Sequence, residues 1–460
     1  MSDATAKIPA STAAELARLA RAASRKLVKL SLQTRNSALL AIADEYESES
    51  EAILKANAAD CAAAQELVRS GTMTSAAYAR LRLDNRGVSE MAGRLREVAR
   101  LPDPLHRTLA ATELDEGLVL YKETCPLGVV AVVFESRPDV VPQVSALALK
   151  SGNAILLKGG AEAARTNETL VTLWKESLLP FEEIPQDSLQ LLHSRGDVME
   201  LLQLDRDVDL LIPRGGREFV EYISRNSRIP VLGHGEGICH VYVDAAAHLE
   251  KAISITMDAK TQYPAACNAA ETLLVHEKIA AEFLPRVISK LQSAGVEVRG
   301  CPRVLALARC ASIKPASEAD WSTEYSDLIL SIKIVGSLDE ALEHIHRYGS
   351  QHTESVVTED AEAAQRFLEE VDAAGVFHNA STRFADGYRY GLGSEVGISN
   401  GKLHARGPMG MEGLTIYKYK LVGSGHVVAD YAAGKKSFRH RALPPRATME
   451  KNGNGAPGAT

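Results

Sequence analysis

The chain has 460 residues, 45% hydrophobic, 24% charged and only 5% aromatic, a balance that describes two or three globular domains with ample cores. Its net charge of −7 argues against nucleic acid or an acidic membrane as partner, since either rewards a basic face, and no apolar run approaches the roughly 18–20 residues of a membrane span. Six cysteines, Cys61, Cys125, Cys239, Cys267, Cys301 and Cys310, lack CxxC or paired spacing, which speaks for a reduced cytoplasmic protein without a disulfide framework or a metal site.

The first hundred residues read as helices, broken near Gly71 and before Pro102. In the first, Leu16, Leu19, Ala20, Ala23, Leu27 and Leu30 recur at helical spacing, so this stripe is expected to dock on the core. The Ala-, Ser- and Arg-bearing start is also compatible with a mitochondrial leader. Residues 112–123 alternate loosely, as an exposed strand or hairpin does, and 129–134 is a β-branched run that suits a strand covered on both faces. Short apolar strands follow at 154–157, 189–192 and 209–212, with helices at 161–177, 197–204 and 216–225. A second series begins with strand 238–243, helix 249–260, strand 272–275 and helix 279–294, and continues with strand 328–335, helix 338–348, strand 354–357, helix 361–371 and strand 375–378. Such alternation means α/β units with mainly parallel sheets, and two series mean two domains. Residues 414–422 share the texture of 112–123, and the Pro/Gly-rich tail after Arg439 is expected to be disordered.

Cys267 lies between a helix, a proline turn and a strand, on a loop of the kind where α/β domains carry catalytic groups and where a thiolate is a strong nucleophile. Cys61, Cys125, Cys301 and Cys310 read as small buried hydrophobes. Lys158-Gly159-Gly160 follows a buried strand and opens a helix, and Pro213-Arg214-Gly215-Gly216 repeats the arrangement. Glycine turns there let backbone N–H groups approach phosphate, with a cation alongside, although such turns also occur for packing alone. Neither GxGxxG nor GxxxxGK[ST] is present, so a dinucleotide would bind without the usual fingerprint. Arg137, in the turn after the 129–134 strand, is either an anion holder or a helix-start surface residue. The segments 391–399 and 402–410 read as loop, with cations that suit a phosphate or carboxylate. His344, His346 and His352 read as surface or helix-end residues.

Taken together, VFESRPDV (133–140), LLKGG (156–160), DLLIPRGG (209–216), PVLGHGEG (230–237), YPAACNAAETLL (263–274), DWSTEYSDLIL (320–330) and NGKLHARGPMGMEG (400–413) resemble the γ-glutamyl phosphate reductase family of the aldehyde dehydrogenase superfamily, in that family's order from about 118 to 420. The resemblance implies two Rossmann-like doubly wound α/β domains and a small β oligomerisation flap. The NADP(H)-binding domain would take 1–110 and 127–235, the catalytic domain 236–407, the flap 111–126 and 408–439, and the disordered tail 440–460. It implies NADPH-dependent reduction of L-glutamyl 5-phosphate to glutamate 5-semialdehyde with release of phosphate, the second step of proline biosynthesis, through a thioester on Cys267. Arg137 stands where the superfamily has an asparagine oxyanion donor, and acts on the oxyanion or on substrate phosphate. Cofactor contacts fall on Ser136, Lys158, Gly159, Gly160, Pro213, Arg214, Gly215, Gly216, Gly233 and Glu324, with Lys158 on the adenosine ribose and Glu324 on the nicotinamide ribose. Substrate contacts fall on Asn268, His404 and Arg406. No acid follows Lys158 until Glu162, which leaves room for a 2′-phosphate and favours NADPH over NADH. Where oxidising relatives carry a glutamate that activates water, this chain has 231–235 (VLGHG), with no carboxylate. The implied assembly is a homodimer or higher homo-oligomer, and glutamate 5-kinase is the implied protein partner. The rival readings are a CoA-acylating or general aldehyde dehydrogenase, and a non-catalytic relative that keeps the fold.

Overall fold

Side-chain caps open the helices of the N-terminal region. In the computed structural model, which describes residues 12–233, 236–308 and 312–444, oxygens of Thr12, Ser31, Thr74 and Asp84 each accept the backbone N–H three residues on, satisfying donors that a helix start leaves unpaired. Ala13, Ala17, Ala20, Ala23 and Leu27 form the buried stripe of the first helix, Ala13–Leu27. Leu19, expected in that stripe, is 39% exposed. The small alanines take the inward face and bring the helix close, which leaves the bulkier leucine outside.

The chain forms two compact units. One holds the described residues of Met1–Ile212, Ser227–Pro230 and Met411–Thr460; the other holds Pro213–Asn226 and Val231–Gly410. The helix Arg217–Asn226 thus falls in the second unit, not in the expected 127–235 domain. In the first unit a four-stranded sheet has the order Leu189–Leu191, Ala154–Lys158, Val129–Phe134, Leu210–Arg214. Val129 to Val133 pair in parallel with Ala154 to Lys158, and every residue of these two central strands is buried, as their unbroken apolar runs require.

A second sheet of the first unit is antiparallel, with the order Thr415–Val422, Leu118–Pro126, Thr108–Asp115, Arg441–Leu443. It joins the 108–126 hairpin to the strand near 414–422, two segments whose shared texture is that of strands with one face to water. Its last strand corrects the expected tail: Ala111 to Glu113 pair with Leu443 to Arg441, and Arg441 adds an ion pair to Glu113 at 2.8 Å. The remainder of the expected tail, 445–460, lies outside the described residues, as does Cys310.

The second unit is built on seven strands in the order Lys314–Pro315, Glu297–Gly300, Ile329–Val335, Ala270–His276, Cys239–Val243, Thr353–Val357, Gly375–His378, parallel at every pair. Helices such as Glu277–Ser293 and Leu338–Tyr348 pack apolar faces onto it. Several features escaped the sequence pattern: the strand Glu297–Gly300, the helix Pro302–Ala308, the strand Lys314–Pro315, and a small hairpin of Gly397–Ser399 with Gly407–Met409 inside the expected loop. No helix among the described residues is long and apolar enough to cross a membrane.

Candidate active site

Four segments of the second unit lead into parallel strands that neighbour one another, so their ends gather at one edge of the sheet. Gly237 precedes Cys239–Val243, Cys267 precedes Ala270–His276, Glu324 precedes Ile329–Val335, and His352 precedes Thr353–Val357. This is the N-terminal edge of the strands, opposite to where ligands of open α/β sheets usually bind.

At its centre stands the half-buried Cys267. Its Sγ lies 3.2 Å from His352 Nε2, and its carbonyl accepts the Cys239 thiol at 3.4 Å. Cys239 is fully buried, and burial holds its thiol well above the ordinary range. It therefore stays protonated and inert, which singles out Cys267 as the reactive sulfur. Gly237 permits this packing: a Cβ there would fall 1.9 Å from the Cys267 carbonyl oxygen. The Gly237 N–H donates to Glu324 Oε2 at 2.9 Å, so Glu324 is held beside the cysteine loop with its other oxygen turned to the Ser326 hydroxyl at 3.4 Å.

Asn268 is buried, and its amide nitrogen donates to the Ala385 carbonyl at 2.8 Å. Its observed work is to tie the cysteine loop to the Ser381–Ala385 turn. That turn brings in Arg383, which sequence reasoning missed. The residue is 7% exposed, and its Nε donates to Gln262 at 2.9 Å. Burial lowers its guanidinium's affinity for a proton and the neighbouring Arg389 adds to this, while the charge of Cys267 acts in the opposite sense. Behind the site, Lys260 and Glu271 form an ion pair of 2.6 Å, both at most 1% exposed.

Histidines 344 and 352 correct the surface reading, at 2% and 1% exposure. His344 lies among Trp321, Tyr348 and His240, and burial pushes it down to about 2, so it is neutral. His346 is exposed, as expected. Pairing pattern does not announce His352, which reaches Cys267 across 85 residues of chain.

The other expected residues of this unit lie in separate places. Gly233 packs against Pro213, with a would-be Cβ at 3.5 Å, whereas Gly216 has nothing within 4 Å. Arg214 NH1 donates to the Val396 carbonyl at 2.8 Å, tying the Pro213–Gly216 turn, Gly215 included, to the 391–399 loop. Arg406 pairs with Asp372 at 3.0 Å, and Lys402 shares that carboxylate at 2.6 Å. His404 is exposed, with φ at +64°.

In the first unit the turns after two neighbouring strands are clasped together. Ser136, at φ +48°, gives both its N–H (2.6 Å) and its Oγ (2.9 Å) to Glu162 Oε1. A Cβ on Gly160 would meet that carboxylate at 2.0 Å, and one on Gly159 would meet Asn167 at 2.1 Å, so a side chain at either position would displace the end of a neighbouring one. Lys158 is 7% exposed and its Nζ donates to the Gly159 carbonyl at 2.5 Å. The expected room beyond Lys158 is therefore occupied: Glu162 folds back over Gly160. Arg137 makes a loose pair with Asp139 at 3.7 Å. Within the first unit, the buried Lys158 ammonium and the Glu162 carboxylate at adjoining strand ends form a donor and acceptor set whose chemistry suits a ribose diol. Among the described residues no group of three His, Cys, Asp or Glu is arranged to hold a metal.

Comparison with known proteins bears on the family of the chain. Residues 2–300 match the aldehyde dehydrogenase family. The chain is 57% identical over 424 residues to the γ-glutamyl phosphate reductase of Synechococcus sp. (strain JA-3-3Ab), covering 92% of this chain and 93% of that one. It is 52% identical over 440 residues to the γ-glutamyl phosphate reductase of Haloquadratum walsbyi, covering 94% and 96%. The crystal structure of γ-glutamyl phosphate reductase from Thermotoga maritima superposes with a TM-score of 0.86 at 40% identity, covering 91% of this chain and all of that one.

Proposed function

This chain belongs to the aldehyde dehydrogenase family and, within it, to the γ-glutamyl phosphate reductases, and from that premise we propose how its residues carry the reaction. The reaction is the reduction of γ-glutamyl phosphate, a step of proline biosynthesis, and the enzyme uses a nicotinamide cofactor. The observation that carries the assignment of roles is the half-buried sulfur of Cys267, set at the strand edge against the His352 ring and next to the inert Cys239 thiol.

The Cys267 thiolate attacks the acyl carbon, a C–S bond forms, and the bond from that carbon to the phosphate oxygen breaks with its electron pair leaving on phosphate. A nicotinamide, when bound, supplies hydride. Collapse of the resulting tetrahedral adduct restores the carbonyl as an aldehyde and returns the electron pair to sulfur. Negative charge builds on the acyl oxygen in both tetrahedral stages, so fixed donors aimed there lower the barrier. We assign this to the Cys267 N–H and to Arg137, whose planar fork suits an oxyanion or a phosphate. Arg383 is the seat for an anionic group of the substrate. Asn268 braces the cysteine loop, and His404 and Arg406 are assigned to the substrate side.

Lys158, Ser136, Gly159 and Gly160 would hold the adenosine end of the cofactor, Pro213 to Gly216 with Gly233 its phosphates, and Glu324 its second ribose. The preferred form is NADPH. The Glu162 charge is spent on two Ser136 donors, and the buried Lys158 ammonium favours an added phosphate. We further propose a cytoplasmic homo-oligomer that meets glutamate 5-kinase. Its association surface is the Thr415–Val422 strand, which ends its sheet and exposes Tyr417, Tyr419, Leu421 and Val422.

The reverse reaction tests the reading. Glutamate semialdehyde and NADP⁺ should give NADPH only when inorganic phosphate is present, and Cys267→Ala should abolish it. Equal rates without phosphate would mean a hydrolytic aldehyde dehydrogenase and overturn the assignment.

A further inference from the structure

Two groups of the reacting centre remain without a stated proton path: the Cys267 sulfur, which must lose a proton to become a nucleophile, and the imidazole that faces it. His352 Nε2 is 3.2 Å from Cys267 Sγ, and His352 Nδ1 is 2.9 Å from the Thr353 hydroxyl oxygen. The ring is 1% exposed, so it does not swing freely, and the His352 carbonyl accepts the Gly375 N–H at 2.9 Å, fixing the backbone that carries it. Among the described residues it is the one basic side chain within hydrogen-bond distance of that sulfur. The other buried histidines face elsewhere: His240 Nδ1 meets Glu354 at 2.9 Å, His344 Nδ1 meets Lys333 at 3.1 Å, and His276 Nδ1 accepts the Lys278 N–H at 3.1 Å.

We propose that His352 is a catalytic base for Cys267 and that Thr353 positions it. The tautomer follows from the contacts. Thr353 Oγ1 takes the Nδ1–H of the neutral ring, which leaves the lone pair of Nε2 pointing at sulfur. The S–H bond breaks, the proton passes to Nε2, and the electron pair stays on sulfur; both ring nitrogens then donate, one to the thiolate and one to Thr353. The proton remains on the imidazolium while the acyl group is on sulfur. When the C–S bond breaks at the end of turnover, the thiolate re-forms beside the same imidazolium, so the pair begins the next cycle without proton exchange. The departing phosphate takes its proton from water.

The proposal deepens the acyl-phosphate reading above and rests on it for turnover, but its primary test needs no substrate. The Cys267-containing peptide is followed by mass spectrometry during alkylation with iodoacetamide at pH 7, in the wild type, His352→Gln, His352→Ala and Thr353→Val. Both histidine variants should alkylate at least roughly tenfold more slowly, and added imidazole should restore the rate in His352→Ala but not in His352→Gln, where the cavity stays filled. Turnover should fall roughly 10²- to 10⁴-fold, the range of a lost acid–base group. Thr353→Val keeps the side-chain shape and should slow alkylation severalfold, which keeps the test decisive if the histidine variants fail to fold. An unchanged alkylation rate in a folded His352→Gln or in Thr353→Val overturns the proposal, even if activity is lost. If alkylation depends on His352 but the wild type makes no phosphate-dependent NADPH, the pair stands and the substrate reading fails.

Discussion

Removing the ammonium of Lys260 should make the second unit's stability depend steeply on pH. Lys260 lies in the last turn of the helix Leu249–Thr261, Glu271 sits four residues beyond Cys267 on the next strand, and their 2.6 Å contact has no access to water. In Lys260→Met, Glu271 keeps one donor, the Ser326 N–H at 3.2 Å, and breaking a buried pair from one side costs about 3–5 kcal/mol. Burial already pushes the Glu271 carboxyl up to about 7, and without the cation it rises further. Between the ordinary carboxyl value and the folded one, the folded chain holds a proton that the unfolded chain has released. Stability therefore falls as pH rises, by about 1.4 kcal/mol per pH unit. In the wild type that fall ends near pH 7; in the variant it continues. Burial also lowers Lys260, so the wild type gains stability at alkaline pH as the unfolded chain keeps the lysine proton longer, and this second effect has the same sign. The gap between the two proteins should be about 2 kcal/mol wider at pH 8.5 than at pH 6. Urea unfolding followed through the buried Trp321, in a Trp174→Phe background, reads this directly. The double variant Lys260→Met/Glu271→Gln should recover most of the loss and show no such pH slope. A gap that is equal at both pH values, or a double variant as unstable as the single, would refute the reasoning.

Two further substitutions probe the two strand edges. Gly237→Ala places a methyl 1.9 Å from the Cys267 carbonyl oxygen, so the cysteine loop must move; kcat in the reverse reaction should drop by more than roughly 100-fold, and a variant with normal kcat would show that the loop yields without cost. Glu162→Gln keeps an acceptor for Ser136 but removes the charge at the Lys158–Gly160 turn, so the ratio of kcat/KM for NADPH to that for NADH should rise roughly three- to tenfold; an unchanged ratio would place the 2′ group elsewhere.

What the sequence made legible were features with a local cause. Unbroken apolar runs at 129–134 and 154–158 became central strands because both faces are covered, and the proline turn ahead of Cys267 placed it on a loop at a strand end. The parts that stayed hidden depend on strand order. His352 meets Cys267 because Thr353–Val357 lies on the far side of Cys239–Val243 from Ala270–His276, and no local pattern encodes that crossing. Asn268 reaches the Ala385 carbonyl, in the turn that also carries Arg383, for the same reason. Glu162 misled because its distance along the chain from Lys158 says nothing of its direction, which the clasp to Ser136 sets. Arg441–Leu443 was invisible because three residues are too few to show a period, and their order comes from the partner strand.

The arrangement also accounts for why a thioester formed here would survive long enough to be reduced. Hydrolysis needs a carboxylate free to take a proton from water beside the acyl carbon. Besides Glu236, the chain neighbour of Gly237, three described glutamates stand near the cysteine loop in the second unit, and these three are engaged. Glu271 is paired with Lys260 and bonded by Ser326 N–H; Glu354 is fully buried and holds both the N–H and the ring of His240; Glu324 accepts the Gly237 N–H. Burial raises the carboxyls of Glu271 and Glu354 above their ordinary values, but water has no access to either side chain, so neither serves as a base toward bulk solvent. The basic group that does touch the sulfur, His352, is buried at 1% exposure, and on the proposed chemistry it already carries its proton when the thioester forms, so it cannot activate water at that stage. On the proposed chemistry, protection from hydrolysis thus draws on where these three carboxylates are spent and on when the imidazole is protonated.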